Sequence, residues 1–394
     1  MNFEIAHRLN QISEYYFSGK LREIDLLNRS GLQVINLGIG SPDLMPDASV
    51  IDVLKIECEK AGNHRYQSYN GIAQLREAFS DWYKKYFKVT LDPADEVLPL
   101  IGSKEGIFYV SMTYLEPGDE VLVPDPGYPA YRAAGLLAGA AVRFYSLEES
   151  NNWLPDLEML GKEDLSKVKI MWLNYPHMPS GARANLEFFH DLVSFARKHG
   201  ILLCHDNPYS FILNEDRLSL LSADTDKNVS LELNSMSKSM NMAGWRVGVL
   251  VSNRQRVMDV LKFKSNVDSG MFKPIQLAAA QALSLSEVWY KGLNSIYEKR
   301  KKIALNLTEV LNCRVQSGQA GMFVWGRIPD GFPDGMTFSE HILNKARVFI
   351  TPGSIFGSNG NKYIRISLCN DENTLRTAME RCLEMKRKKE INWT

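Results

Sequence analysis

One lysine stands among small hydroxyl residues in the stretch SMSKSMNMAGWRVG, residues 235–248. The amine of Lys238 can condense with a carbonyl to a Schiff base and act covalently. The hydroxyls of Ser235 and Ser237 and the planar fork of Arg246 suit an anion such as phosphate. Taken alone, the stretch also fits a surface lysine in a serine-rich loop. A second group follows the apolar run ILLC in HDNPY, residues 205–209. It puts Asp206 and Tyr209 at the C-terminal edge of a strand, where open α/β sheets bind ligands. An acid there can keep a heteroaromatic nitrogen protonated and so make the ring an electron sink. It serves equally to cap the turn that begins at Asn207-Pro208.

Four more positions have chemistry to offer. Gly102-Ser103-Lys104 is a small-residue turn feeding a helix, whose free N–H groups make a phosphate site or simply a helix start. Tyr128, in DPGYPAY, falls between a strand and a helix, where its ring can stack on a planar ligand or pack in the core. Asn174, in LNYPHMPSG, ends another strand and can donate to a ring oxygen. Arg365, in YIRISL, has apolar neighbours on both sides and fits that pattern only if it points into a cleft, where a carboxylate satisfies its charge.

Elements that could position these residues are legible as short apolar runs alternating with helical segments. Strands are predicted at Glu120–Val123, Ala141–Phe144, Val168–Leu173, Ile201–Cys204, Val229–Leu233 and Val247–Val251. Helices are predicted at Ser49–Ala61, Gly71–Tyr86, Pro129–Ala138, Asn185–Lys198 and Arg254–Phe263, with another entered from the turn at residues 101–115. Such alternation predicts a mostly parallel sheet covered on both faces. Residues 1–30 read as amphipathic helix and lead into an extended stretch at Val34–Leu37. A long helix at Trp289–Leu311 precedes a change of pattern: MFVWGRI, a helix at Thr337–Ala346, VFITPG, YIRISL and a closing helix at Asp371–Lys389. That is the outline of a smaller α+β domain.

Composition excludes other classes. The chain of 394 residues is long enough for two domains. Lys+Arg and Asp+Glu both total 46, and the resulting formal net charge of +0 points to no nucleic-acid partner and no anionic membrane surface. The charge run at residues 386–390 is expected to be the solvated end of the last helix. The cysteines (Cys58, Cys204, Cys313, Cys369 and Cys382) show no paired or metal-ligand spacing, so no metal is expected and a reducing compartment is favoured. No signal-peptide pattern and no apolar run of membrane length is present. The expected place is the cytoplasm.

The motifs NLGIGSPD, YQSYNGIAQLREA, IGSKEG, DPGYPAY, NYPHMPSG, HDNPY, SMSKSMNMAGWRVG, SGMFKPIQ, GMFVWGRIP, TPGSIFG and YIRISL follow one another along essentially the whole chain. In this order they resemble the pyridoxal 5'-phosphate (PLP) enzymes of fold type I, specifically the class I/II aminotransferases, near the branch of the LL-diaminopimelate, aspartate and alanine enzymes. The resemblance implies an α/β fold with a seven-stranded, mostly parallel sheet in a large domain and a smaller α+β domain. It implies boundaries at 1–47 for an N-terminal segment joining the small domain, 48–288 for the large domain and 289–394 for the small one. Lys238 is then the residue that links to the cofactor and acts as base, Asp206 pairs with the ring nitrogen, Tyr209 and Asn174 hold the ring oxygen, and Tyr128 stacks on the ring. Gly102, Ser103, Lys104, Ser235, Ser237 and Arg246 line the phosphate. Arg365, supported by Asn174, takes the substrate α-carboxylate, and Gly38 and Gly40 belong to the segment that closes over it. Tyr66, or its neighbour Tyr69, reaches the phosphate of the other subunit in a homodimer with shared active sites.

The implied activity is transfer of an amino group from an L-amino acid to a 2-oxo acid by a ping-pong route. A PLP-dependent C–S β-lyase and a non-catalytic PLP-binding regulator are the alternatives. The usual transcriptional form of the latter needs a DNA-binding domain ahead of the fold, and only about 30 residues precede the first motif. One departure stands out: where the family usually carries N-P-T-G, this chain has His177-Met178-Pro179-Ser180-Gly181. The change either alters the wall of the site or is neutral loop variation. No arginine for a distal substrate carboxylate is evident beyond Arg65, which equally reads as a surface charge.

Overall fold

The computed structural model describes residues 3–388. Met1 and Asn2 of the expected N-terminal helix, and Lys389 and Glu390 of the charge run, lie outside the described residues. The main sheet has seven strands. From one edge to the other they are Val97–Leu100, Gly248–Val251, Ser230–Ser235, Leu202–Asp206, Val168–Leu173, Glu120–Asp125 and Ala141–Ser146. Gly248–Val251 runs antiparallel to both of its neighbours, and every other pairing is parallel.

Alternation along the strands shows why these runs are almost continuously apolar. Ile170 and Trp172 enter the core on one face, and Met171 and Leu173 the core on the other. Both faces are covered, so both sets of side chains must leave water. The first face is closed by the helices Ser103–Tyr114, Pro129–Leu137 and Arg254–Lys264. Part of the second is closed by Leu186–His199, which Asn185 caps by accepting from Phe188 N and Gly200 ends at φ 69°. The Val97–Leu100 strand was not predicted. It is short and contains Pro99, which argues against a central strand, and the structure duly puts it at the sheet edge. The Lys273–Leu283 helix, with Pro at its start, was also missed.

A four-stranded antiparallel sheet, ordered Thr351–Pro352, Tyr363–Ser367, Phe323–Arg327 and Arg314–Val315, follows the long Glu287–Val310 helix. The helix Gly335–Ala346 packs with this sheet, and the closing helix Glu372–Arg387 packs on that helix and on Glu287–Val310. Ile35–Asn36, near the start of the chain, pairs in parallel with Val348–Phe349 near its end. The N-terminal helix is interrupted: a 3-10 turn at His7–Gln11 and a helix at Tyr16–Arg29 are separated by non-helical residues. His7–Gln11 buries none of its side chains, so tertiary packing does not extend the helix into it. Among the described residues no helix is long and apolar enough to cross a membrane.

Candidate active site

Three parallel strands end side by side at Leu173, Asp206 and Ser235, and their polar ends open into a cavity of about 570 Å³. Asp206 forms its floor. Tyr131 donates its hydroxyl to Asp206 Oδ2 at 3.0 Å, and Tyr131 is itself fixed by stacking on Trp172, with centroids 5.0 Å apart and planes within 5°. Asp206 Oδ1 is buried and has no hydrogen-bond partner. Burial raises this carboxyl to about 6. An acid held half-satisfied at a strand end is configured to receive a donor from within the cavity.

The wall nearest Lys238 has the chemistry of an anion site. Gly102 precedes the Ser103–Tyr114 helix with no side-chain cap, leaving N–H groups of the first turn open. A Cβ on Gly102 would lie 2.1 Å from Arg246 Nη2, and φ is 86° there, so only glycine lets the guanidinium close on the helix start. Arg246, at φ 58°, donates to the Ser237 hydroxyl at 3.5 Å. Ser235 Oγ donates to Ser237 Oγ at 2.9 Å and accepts from Ser237 N at 3.2 Å. Lys104 lines the cavity with its ammonium 4.7 Å over the Tyr15 ring. Burial, and then the neighbouring Arg246, push that ammonium below its ordinary value.

Lys238 lies between the acid and the anion wall. Its Nζ donates to the Gly40 carbonyl at 2.5 Å, and burial lowers the amine to about 8. Gly40 sits so close to Phe323 that an added Cβ would fall 2.3 Å from the ring. Arg365, on the Tyr363–Ser367 strand and 4% exposed, lines the same cavity. Its guanidinium lies 3.9 Å from the centroid of Phe323, 4.7 Å from Phe356 and 5.5 Å from Phe17. It donates to the Gly38 carbonyl at 2.7 Å and to Met178 Sδ at 3.1 Å. Both partners are uncharged, Nε is left without one, and burial pulls the group down to about 10. A buried cation so placed lacks only an anion.

The cavity thus brings together Lys238, Asp206, Tyr209, Asn174, Tyr128, Ser103, Lys104, Ser235, Ser237, Arg246, Arg365 and Gly40. Asn174 lines the cavity with part of its amide already engaged. Its Nδ2 donates to the Asp206 carbonyl at 2.6 Å and its Oδ1 accepts from Met178 N at 2.7 Å. Its amide therefore straps one strand end to the next loop. Tyr66 and Tyr69 are not in the cavity; they are 90% and 46% exposed. His177 and Met178 separate into two roles. His177 is buried in its loop, 2.7 Å from Ser180 Oγ and 3.1 Å from the Pro126 carbonyl, and burial holds it neutral, down at about 3. Met178 lines the cavity.

Sequence reasoning missed Tyr131, Tyr15, Phe17, Ile39, Phe323 and Phe356, all of which line the cavity. Tyr131 had a signal: it follows Tyr128 by three positions at a helix start, which places both on one side. Because its hydrogen bond favours the ionised acid, Tyr131→Phe is expected to raise the Asp206 carboxyl by about one pH unit. Infrared titration of the cofactor-free protein reads this shift, and an unmoved midpoint would separate Tyr131 from Asp206.

The chain matches the family model described as aminotransferase class I and II over residues 33–382. It is 40% identical to an LL-diaminopimelate aminotransferase of Dehalococcoides mccartyi, over 93% of this chain and 94% of that one. Among solved structures it is similar to substrate-bound BacF of Bacillus subtilis, with 34% identity, TM-score 0.92, and 97% and 98% of the two chains covered. It is also similar to an aromatic aminotransferase of Pyrococcus horikoshii, with 28% identity, TM-score 0.86, and 93% and 99% covered.

Proposed function

Because this chain belongs to the class I and II aminotransferases and is a PLP-dependent enzyme of fold type I, we propose that its cavity residues divide the work of amino transfer as follows. The bound cofactor supplies an aldehyde that condenses with amino groups and a protonated ring that draws electrons from the substrate α-carbon. The residues present fit it. The orphaned Asp206 Oδ1 holds a proton on the ring nitrogen. Gly102, Ser103, Ser235, Ser237 and Arg246 bind the phosphate, with Lys104 adding charge from the rim. Tyr209 donates to the ring oxygen, and Tyr128 covers a ring face. Asn174 acts as a positioning residue, since its strap joins the Asp206 and Met178 backbones.

Arg365 binds the α-carboxylate, which fixes the α-carbon near Lys238. Lys238, its amine held near 8 by burial, is neutral in about a tenth of molecules at pH 7, far more than an ordinary lysine, and takes the α-proton. The single observation that carries the proposal is this lysine sharing one cavity with a buried acid that has one oxygen unpartnered and a buried arginine that has no charged partner. Only the neutral amine is a nucleophile, so the rate at which added PLP blocks Lys238 is expected to rise with pH through about 8 and then level. A rate that is flat or falling over pH 7–9 would exclude an amine of this kind as the attachment point.

The relatives named as aminotransferases favour amino transfer over C–S lysis. The test is the visible absorption of the PLP-loaded protein. Bleaching of the cofactor band by an amino acid, and its return with a 2-oxo acid, supports transfer; pyruvate and ammonia from a cysteine conjugate would support the lyase instead. Residues 1–47, 48–288 and 289–394 serve as N-terminal segment, large domain and small domain in this reading. The free cysteines, four of them buried, support a reducing compartment, the cytoplasm.

A homodimer with shared sites accounts for Tyr66, whose ring is exposed outside its own cavity. It reaches the phosphate held by the other copy. Mixing a Tyr66→Ala chain with a Lys238→Ala chain then makes hybrid dimers with one intact site. Recovery of about a quarter of wild-type activity is expected, since half the dimers are hybrid. No recovery would put Tyr66 out of the neighbouring site.

A further inference from the structure

We propose that the ion pair of Arg300 and Asp43 positions residues 39–41 in the wall of the cavity and so sets the affinity for the amino acid, an inference that rests on the aminotransferase reading above. Ile39, Gly40 and Ser41 all line the cavity, and the Gly40 carbonyl accepts from Lys238. Residues 38–47 belong to no helix or strand, so the bonds of regular structure do not hold this stretch. Backbone pairing fixes its first end. Leu37 N donates to the Phe349 carbonyl at 2.8 Å, Ser367 N donates to the Leu37 carbonyl at 2.8 Å, and the Gly38 carbonyl accepts from Thr351 and Arg365. Gly40 brings no side chain to anchor the middle, because a Cβ there would fall on Phe323.

The second end is Asp43. Its Oδ1 accepts from Arg300 Nη1 at 2.6 Å and its Oδ2 from Nη2 at 2.8 Å, the two-pronged form that fixes direction as well as distance. Arg300 Nη1 also donates to the Leu368 carbonyl at 3.1 Å, just past the strand that carries Arg365. The arginine is buried on the Glu287–Val310 helix, which packs on the closing helix and on the Phe323–Arg327 strand. Neither Asp43 nor Arg300 lines the cavity, so both act through the stretch they fix. Without that second point, residues 39–41 spend part of their time away from the wall, and a substrate has to draw them back. The apparent Kd then rises by the inverse of the competent fraction, while the complex once formed is the same. Cofactor uptake is not expected to follow, because Arg246, Ser235 and Ser237 bond to neither member of the pair.

The experiment compares the wild type with Asp43→Asn and with the double variant Asp43→Asn, Arg300→Met. The double variant removes the buried charge that the single one leaves unpaired, so the test survives if the single variant folds poorly. A panel of L-amino acids that includes glutamate, phenylalanine and LL-diaminopimelate is offered to the PLP-loaded wild type, and the one that bleaches its band fastest is used throughout. Single-turnover absorbance then gives an apparent Kd and a saturating rate. The Kd is expected to rise about tenfold in both variants, as when the competent fraction falls to about a tenth, with the saturating rate and the PLP affinity within about twofold. Hydrogen exchange of the cofactor-free protein reads the positioning without any reaction: the amides of residues 39–41 are expected to exchange faster in the variants. An unchanged Kd or unchanged exchange would overturn the inference. So would a saturating rate and PLP affinity that fall together with the Kd effect, since that pattern marks a pair that only stabilises the fold. A wild-type band that no amino acid of the panel bleaches would instead remove the aminotransferase reading and the claim on affinity with it, while exchange would still report whether the pair holds the stretch.

Discussion

Lys238→Ala is expected to lower amino transfer by roughly 10⁴-fold or more while the protein still takes up PLP. The two halves of that result have separate physical sources. Turnover depends on an amine whose burial keeps it near 8, and alanine offers neither nucleophile nor base. Retention depends on groups the substitution does not touch: the Arg246 guanidinium, the Ser235 and Ser237 hydroxyls, the start of the Ser103–Tyr114 helix and the orphaned oxygen of Asp206. Equilibrium dialysis measures the second half and single-turnover absorbance the first. A small primary amine added in solution is expected to restore part of the rate. Wild-type rates from Lys238→Ala without such an amine would remove Lys238 from the chemistry.

The second large effect belongs to Arg365→Ala. Removing one member of a buried, charge-assisted pair costs about 3 kcal/mol, so kcat/KM falls by roughly 150-fold for donor and acceptor alike. In the proposed reading the same residue meets the carboxylate in both halves of a ping-pong cycle, and an effect on only one substrate would contradict it. PLP affinity is expected to change little, because Arg365 bonds to Gly38 and Met178 and to none of the anion-wall residues. Arg365→Lys is the control. It keeps the charge but loses the planar fork that donates to Gly38 while facing the cavity, so it recovers only part of the loss.

The sequence made some of this legible for a plain reason: a parallel sheet buried on both faces demands uninterrupted apolar runs, and polar residues appear where the runs stop. Asp206 and Asn174 were each visible as such an end, while Lys238 stood out by its small hydroxyl neighbours. The aromatic cage of Arg365 was not legible. Phe17, Phe323 and Phe356 come from three separate segments, and nothing local distinguishes them from ordinary core phenylalanines. The strap formed by Asn174 was hidden for a related reason: residue type predicts that an amide will hydrogen-bond, but only the fold decides that backbone groups take its oxygen and one of its two N–H bonds. Local pattern also misjudged the first turn of the chain and the Pro99 strand, where exposure and edge position override propensity.

The pairing of Ile35–Asn36 with Val348–Phe349, and of Arg365 with the Gly38 carbonyl, also fixes an order in time. Strands from Val97 to Val251 can assemble as they leave the ribosome, since their partners are all at hand. The roof over the site cannot. Residues 35–41 have to wait, unpaired, until the strands near residues 348 and 365 have been made. The cavity is therefore completed at the end of synthesis, and a chain cut short before Val348 holds Lys238, Ser235 and Arg246 beneath an open top.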